Sequence, residues 1–307
     1  MPDHLDTIHA LLSLDLSTYP KEEIVRLIRQ LGPYGLIQMT LHPGKSIIRA
    51  RPMDPGQHFR SRAELSYKPA SANKTYQRAS TPDQTMFYGA VIPENLPDEE
   101  KVNARIVASL ETSYLLRTPG LDGEQLMNYS RWVVTKDIPL LAICYHRDFV
   151  TKSNHTKELN EAYHRSMADV MTRDPALAQR SIAITEFLAA QYAKKAVDHD
   201  YDYMISALFS SITVARGQAG IYYPSIRADA KGFNVAISPD YVDHSLQLVA
   251  AGECTIYKRG DQTIGDNDTV CEIHDDTLTF DYMPVAPEHH MGRDKVLAEF
   301  AHRNTGS

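Results

Sequence analysis

The sequence predicts a mixed α/β fold of the α+β kind, and three observations carry that reading. Short apolar runs of strand length, at 36–41, 46–50, 85–91, 220–225 and 233–238, are bounded by turn-forming residues. Apolar residues recur at helical spacing near the start of the chain and through its middle. The composition, 43% hydrophobic and 23% charged over 307 residues, suits a chain that buries a sizeable core.

Residues 5–14 and 21–31 read as helices, since Ile24, Leu27, Ile28 and Leu31 share a face, Pro20 suits a first turn and Gly32-Pro33 stops the second. Strands at 36–41 and 46–50 are joined by His42-Pro43-Gly44-Lys45, a turn by composition. Arg49 and Arg51 lie two apart and share a strand face; two like charges there require water or an anion. A long polar loop over 52–73 leads to the stretch 75–90, a polar turn running into an aromatic strand. Arg78 offers a planar fork for phosphate or carboxylate. Phe87 and Tyr88 point to opposite faces, so one is expected in the core and the other free to line a pocket.

A helix is predicted over 98–116, with Val102, Ile106, Ser109 and Leu110 on one face and Asp98-Glu99-Glu100 favouring its dipole; Glu111 falls near its end. Residues 131–145 read as one or two strands broken by Asp137 and Pro139. Helical periodicity over 157–173, 181–197 and 200–216 gives a helical middle region with no flexible linker around it. Further strands are expected at 253–258 and 277–282.

The net charge of −7 supplies no field for nucleic acid, so no direct nucleic-acid contact is expected. No signal-peptide pattern and no apolar run of about 20 residues is present, which predicts a cytoplasmic protein without membrane contact. Cys144, Cys254 and Cys271 lack zinc-site spacing and read as buried thiols; His289-His290 reads as solvated tail and Asp275-Asp276 as exposed, so no metal is expected. Gly217-Gln-Ala-Gly220 precedes a strand and lacks the three-glycine pattern of dinucleotide folds.

Three pieces stand in chain order: Ser46-Ile-Ile-Arg-Ala-Arg51; Tyr76-Gln-Arg-Ala-Ser80 with Phe87-Tyr-Gly-Ala90; and Gly220-Ile-Tyr-Tyr-Pro-Ser-Ile-Arg227 with Gly232-Phe-Asn234. Together they resemble the RES-domain family, named for an arginine, a glutamate and a serine. Its members look like ADP-ribosyltransferases and include NAD-consuming toxins of toxin–antitoxin pairs. The resemblance covers 46–237. It implies ADP-ribosyltransferase-like mixed sheets with N-terminal and middle helical additions: an extension at 1–45, a catalytic unit at 46–240 that includes the helices of 155–216, and C-terminal strands and tail at 241–307 packed on the same domain.

Carried over by residue, the resemblance makes Arg49, or in a less favoured register Arg51, the first-strand arginine and Arg78 the turn arginine, although Tyr-Gln-Arg-Ala-Ser departs from the family's usual Gly-Gly-Arg-Trp-Asn. Tyr88 matches the strand tyrosine, Glu111 the helix glutamate and Ser225 the serine. The interval between Tyr88 and Glu111 is stretched relative to the family, which leaves Glu94, Glu99 and Glu100 as substitutes for Glu111.

The implied activity is cleavage of the nicotinamide–ribose bond of NAD⁺ by hydrolysis or phosphorolysis, with inorganic phosphate the co-substrate in the second case. Arg49 and Arg78 would clamp the diphosphate, Tyr88 would face the nicotinamide ring, Glu111 would stabilise the ribosyl cation, and Ser225 would position the ribose or Glu111. The alternatives are ADP-ribosyl transfer to a macromolecule and a noncatalytic interaction protein on the same fold. A small DNA-binding antitoxin is the partner that the resemblance implies, and the sequence admits a homo-oligomer.

Overall fold

The computed structural model describes residues 3–82, 84–94, 96–97, 103–143, 146–195, 197–274 and 279–305. Helices α1 (His4–Leu12) and α2 (Lys21–Gln30) lead into strands β1 (Ile37–Leu41) and β2 (Ser46–Pro52), and the following long loop holds the short helix α3 (Arg62–Leu65) and a 3-10 turn (Ala70–Ala72) before β3 (Phe87–Val91). Helices α4 (Ala104–Thr112) and α5 (Tyr114–Arg117) precede β4 (Gly123–Val134) and β5 (Ile138–Ala142). The middle region is α6 (Asn154–Arg173), α7 (Pro175–Tyr192) and α8 (Met204–Ala215), followed by β6 (Gly220–Pro224) and β7 (Phe233–Ile237). Helix α9 (Pro239–Ser245), strands β8 (Leu246–Arg259), β9 (Gln262–Glu272) and β10 (Met283–Pro284), and helix α10 (Arg293–Thr305) complete an α/β fold.

The strands form one mixed sheet in the order β1-β5-β6-β7-β3-β2-β4-β8-β9-β10, in which β5 and β6 are parallel and the remaining neighbours antiparallel. Strands β1 and β2 are joined by a turn yet do not pair; they stand five positions apart in this order. A flat sheet would separate them by about 24 Å at a spacing of about 4.8 Å per strand. The chain from Leu41 to Ser46 spans at most about 17 Å when fully extended. The sheet must therefore fold back on itself, and the short connection from β4 to β5, five positions apart in the same order, imposes the same bend.

Inside that bend lies the main core, where Leu41, Ile47, Phe87, Trp132, Ile138 and Phe233 meet from both halves of the sheet. Phe87 packs edge-on against Trp132 at 5.2 Å, as expected of the ring that turns inward. The outer face of β5, β6 and β7 is covered by α1, α2, α7 and α8 through Leu11, Ile24, Leu188 and Leu208, which touch a cluster containing Leu141, Ile221 and Tyr223. Burial on both faces is why β6 and β7 show no exposed position. On the opposite half α4 docks through Val107 and Ala108 onto Ala50, Ala90, Met127 and Ile256.

Several expectations are corrected. The buried face of α4 is Val107, Ala108 and Ser109, while Ile106 is 53% exposed, because the helix begins only after Asn103 caps it; Val102 and Asp98-Glu99-Glu100 lie outside the described residues. Pro139 sits within β5 opposite Thr40 and does not break it. The strand expected at 253–258 is part of the fourteen-residue β8, and β9, α9 and α10 were not foreseen. Of 277–282 the described part forms an isolated bridge from Thr279 to Ser61, not a strand. His289 and His290 are exposed, but His290 is held to β9: its Nδ1 lies 3.0 Å from the Asn267 carbonyl oxygen and 3.2 Å from Asp266. Cys254 and Cys271 are buried thiols, whereas Cys144 and Asp275-Asp276 fall outside the described residues. No described helix is long and apolar enough to cross a membrane.

His155 of α6 is wedged between Tyr222, whose hydroxyl is 3.0 Å from Nε2, and the edge of Phe233. Burial, with a smaller contribution from the Lys45 charge, lowers its pKa to about 4. The folded state thus holds this imidazole neutral, while the unfolded chain protonates it near pH 6.5. Its contribution is complete above pH 6.5 and is lost as pH falls to about 4, at a cost of up to about 3 kcal/mol. Urea denaturation at pH 7, 5.5 and 4 should show a shallower acid loss for His155→Gln than for the native chain.

Candidate active site

On the outer face of the sheet, between the helices that cover β5 to β7 and α4, the strands β2 and β3 border a cleft of about 430 Å³. Its lining includes Arg49, Arg51, Gln77, Arg78, Tyr88, Glu111, Arg117, Tyr203, Tyr223, Arg227 and Asn234. Among the described residues five arginines therefore surround a single carboxylate, in a chain of net charge −7. Such a local field selects an anionic ligand.

Each side chain is held by its element. Asn103 accepts the Arg105 N–H to start α4, and Ser113 ends it while capping α5 through the Leu116 N–H. The last turn of α4 points Glu111 at the place where the C-terminal end of β6 meets the N-terminal end of the antiparallel β7. There Ser225 Oγ donates to Glu111 Oε1 at 2.6 Å and Asn234 Nδ2 donates to the same oxygen at 2.9 Å. Glu111 Oε2 is left facing Arg227 Nε at 3.7 Å. Ser225 is fully buried behind the carboxylate, its N–H donating to Gly232 and its Oγ accepting from Ala228 N–H. Arg117 Nη1 donates to the Glu111 carbonyl oxygen, and the helix carrying Arg117 is fixed in turn by Lys258 of β8, whose Nζ donates to the carbonyls of Leu115 and Thr118.

On the opposite wall, Tyr88 is anchored by its hydroxyl, which accepts from Ala79 N–H and lies 2.8 Å from Ser80 Oγ, and burial pushes its pKa up to about 12. Arg49 Nη1 donates to the Tyr88 carbonyl at 2.9 Å while its buried Nε has no acceptor among the described residues. Burial, then the charge of Arg51, lowers the Arg49 pKa to about 10, so it stays cationic at neutral pH. Arg78 differs from the expected bidentate clamp: its two terminal nitrogens donate to the carbonyls of Tyr192 and Lys194, and its plane lies 5.1 Å from the Tyr203 ring. It ties the turn to the end of α7 and leaves only its remaining N–H groups for a ligand.

Thus Arg49, Arg51, Arg78, Tyr88 and Glu111 share the cleft and Ser225 stands directly behind Glu111. Glu94 does not join them; its exposed carboxylate pairs with Lys45 at 3.1 Å. Glu99 and Glu100 lie outside the described residues. The chain matches no protein-family model and no curated protein. Sequence reasoning gave no role to Arg117, Arg227, Asn234 or Tyr203. Asn234 had a signal: a lone amide within Phe-Asn-Val-Ala-Ile, a strand with both faces buried, must find a polar partner.

Among the described residues Asp266, Asp268 and His290 gather their ligand atoms within 4.8 Å of one another, away from this cleft. Asp266 already accepts the N–H groups of Met291 and Gly292, which fixes the approach to α10.

The carboxylate's position also depends on Gly232, where an added Cβ would lie 2.4 Å from Val107 Cγ2 of α4. Gly232→Ala should cost about 1–3 kcal/mol through overpacking. In a thermal-denaturation cycle, Val107→Ala should recover part of that loss in the double variant, since it removes the clashing methyls.

Proposed function

We propose that the cleft binds a nicotinamide dinucleotide and cleaves its nicotinamide–ribose bond, depleting NAD⁺. The observation that carries this reading is the fixed carboxylate of Glu111, with one oxygen held by Ser225 and Asn234, in a cleft otherwise lined by arginines and tyrosines. Arginines suit a diphosphate. Tyrosine rings suit a flat nicotinamide. A carboxylate that cannot rotate away suits a carbon that becomes positive in the transition state. The cavity volume also falls within the range of small-ligand sites.

In the proposed step the C–N bond to nicotinamide breaks and its electron pair leaves on the ring nitrogen. Glu111 stabilises the ribosyl cation, and an oxygen of water or phosphate forms the new bond to the anomeric carbon. When water is the acceptor its proton is released to solvent. Ser225 and Asn234 act as positioning residues, and Arg49 and Arg51 as anion contacts.

Incubating the purified chain with NAD⁺, with and without phosphate, should release nicotinamide together with ADP-ribose or its 1″-phosphate. A labelled macromolecule would instead indicate transfer, and intact NAD⁺ would sink the reading. Glu111→Gln should preserve NAD⁺ affinity and lower kcat by about 10²–10³, the loss typical when one group that stabilises transition-state charge is removed. Initial rates over a range of NAD⁺ concentrations measure both effects.

A further inference from the structure

Beneath Arg49 and Arg51 a second pocket of about 180 Å³ shares Gln77 and Tyr88 with the main cleft. Its additional lining includes Lys68, Asn73 and Thr85, and among the described residues no carboxylate lines it. Arg51 is oriented here by its contact with the Phe59 ring at 4.3 Å and by donation to the Glu64 carbonyl. The Glu64 carboxylate itself accepts from Arg60 N–H and Ser61 Oγ. Among the described residues the buried Nε of Arg49 has no acceptor and the buried Oδ1 of Asn73 has no donor, although Asn73 Nδ2 is engaged by the carbonyls of Thr75 and Thr81.

Three cations and one unpaired acceptor require a group with several acceptor oxygens and a hydroxyl. A phosphate monoester with its neighbouring sugar hydroxyl, or a free phosphate, has that chemistry. The volume of about 180 Å³ is ample for a phosphate group.

We propose that this pocket is a phosphate subsite beside the cleft, formed by Arg49, Arg51 and Lys68. Its occupant is a phosphate group, carried on the ribose of an NADP⁺-type dinucleotide or supplied as free phosphate. The assignment of a tethered phosphate rests on the dinucleotide reading of the cleft; the subsite itself does not. Lys68 sits on the exposed loop between β2 and β3, so it can be replaced without disturbing the core.

The test is calorimetric titration of the full chain, in a Glu111→Gln background that stops turnover, with NAD⁺, NADP⁺ and inorganic phosphate. The expected result is NADP⁺ binding about tenfold tighter than NAD⁺, the scale of one charge-assisted hydrogen bond. Lys68→Ala should remove that preference and Lys68→Arg should retain it. Phosphate binding that depends on Lys68, without an NADP⁺ preference, assigns the subsite to the free anion. The same phosphate result with neither dinucleotide bound keeps the subsite and removes the dinucleotide reading. If no binding of phosphate or NADP⁺ responds to Lys68, the subsite is overturned.

Discussion

The constraint on which the rest of this fold depends is the brevity of two connections, 42–45 and 135–137, between strands that stand far apart in sheet order. They compel the sheet to double back, and the doubling creates an inner core sealed by Phe87, Trp132 and Phe233. The outer faces must then be covered separately. Helices from the N-terminus and the middle cover one, and α4 covers part of the other. The cleft lies beside α4, whose single short run of turns both closes the apolar surface and delivers the carboxylate.

The electrostatics follow from that arrangement. Arg49 and Arg51 project from one face of β2 because alternate residues share a face, and their mutual repulsion is accepted on a strand that also opens to the cleft. Glu111 faces one of five arginines directly, Arg227, and turns its other oxygen to neutral donors.

Much of this was legible in the chain. Period-two and helical patterns located β2, β3, β6, β7 and the middle helices, because those elements bury whole faces. The division of labour between Phe87 and Tyr88 was likewise visible as adjacent aromatics in one strand. What stayed hidden has physical reasons. β9 carries Asp266, Asn267 and Asp268, and α10 is rich in charge, so neither shows an apolar run. Arg117 sits on a four-residue helix whose direction is set by Lys258, a contact invisible at a distance of 140 residues. Arg78 was identified as a cleft residue from its turn, but its ties to the end of α7 depend on the packing of a helix more than a hundred residues away.

The grip on Glu111 has a consequence for how the chain acquires its site. The hydrogen bonds from Ser225 and Asn234 close loops of 114 and 123 residues, and the lysine that steadies the following helix closes one of 140. Contacts of such high order form late, after the entropy of closing those loops has been overcome. During synthesis the helix bearing the carboxylate emerges long before the strands that orient it. An incomplete chain therefore carries Glu111 without its positioning partners, and the carboxylate becomes aligned only when the second half of the sequence has joined the sheet.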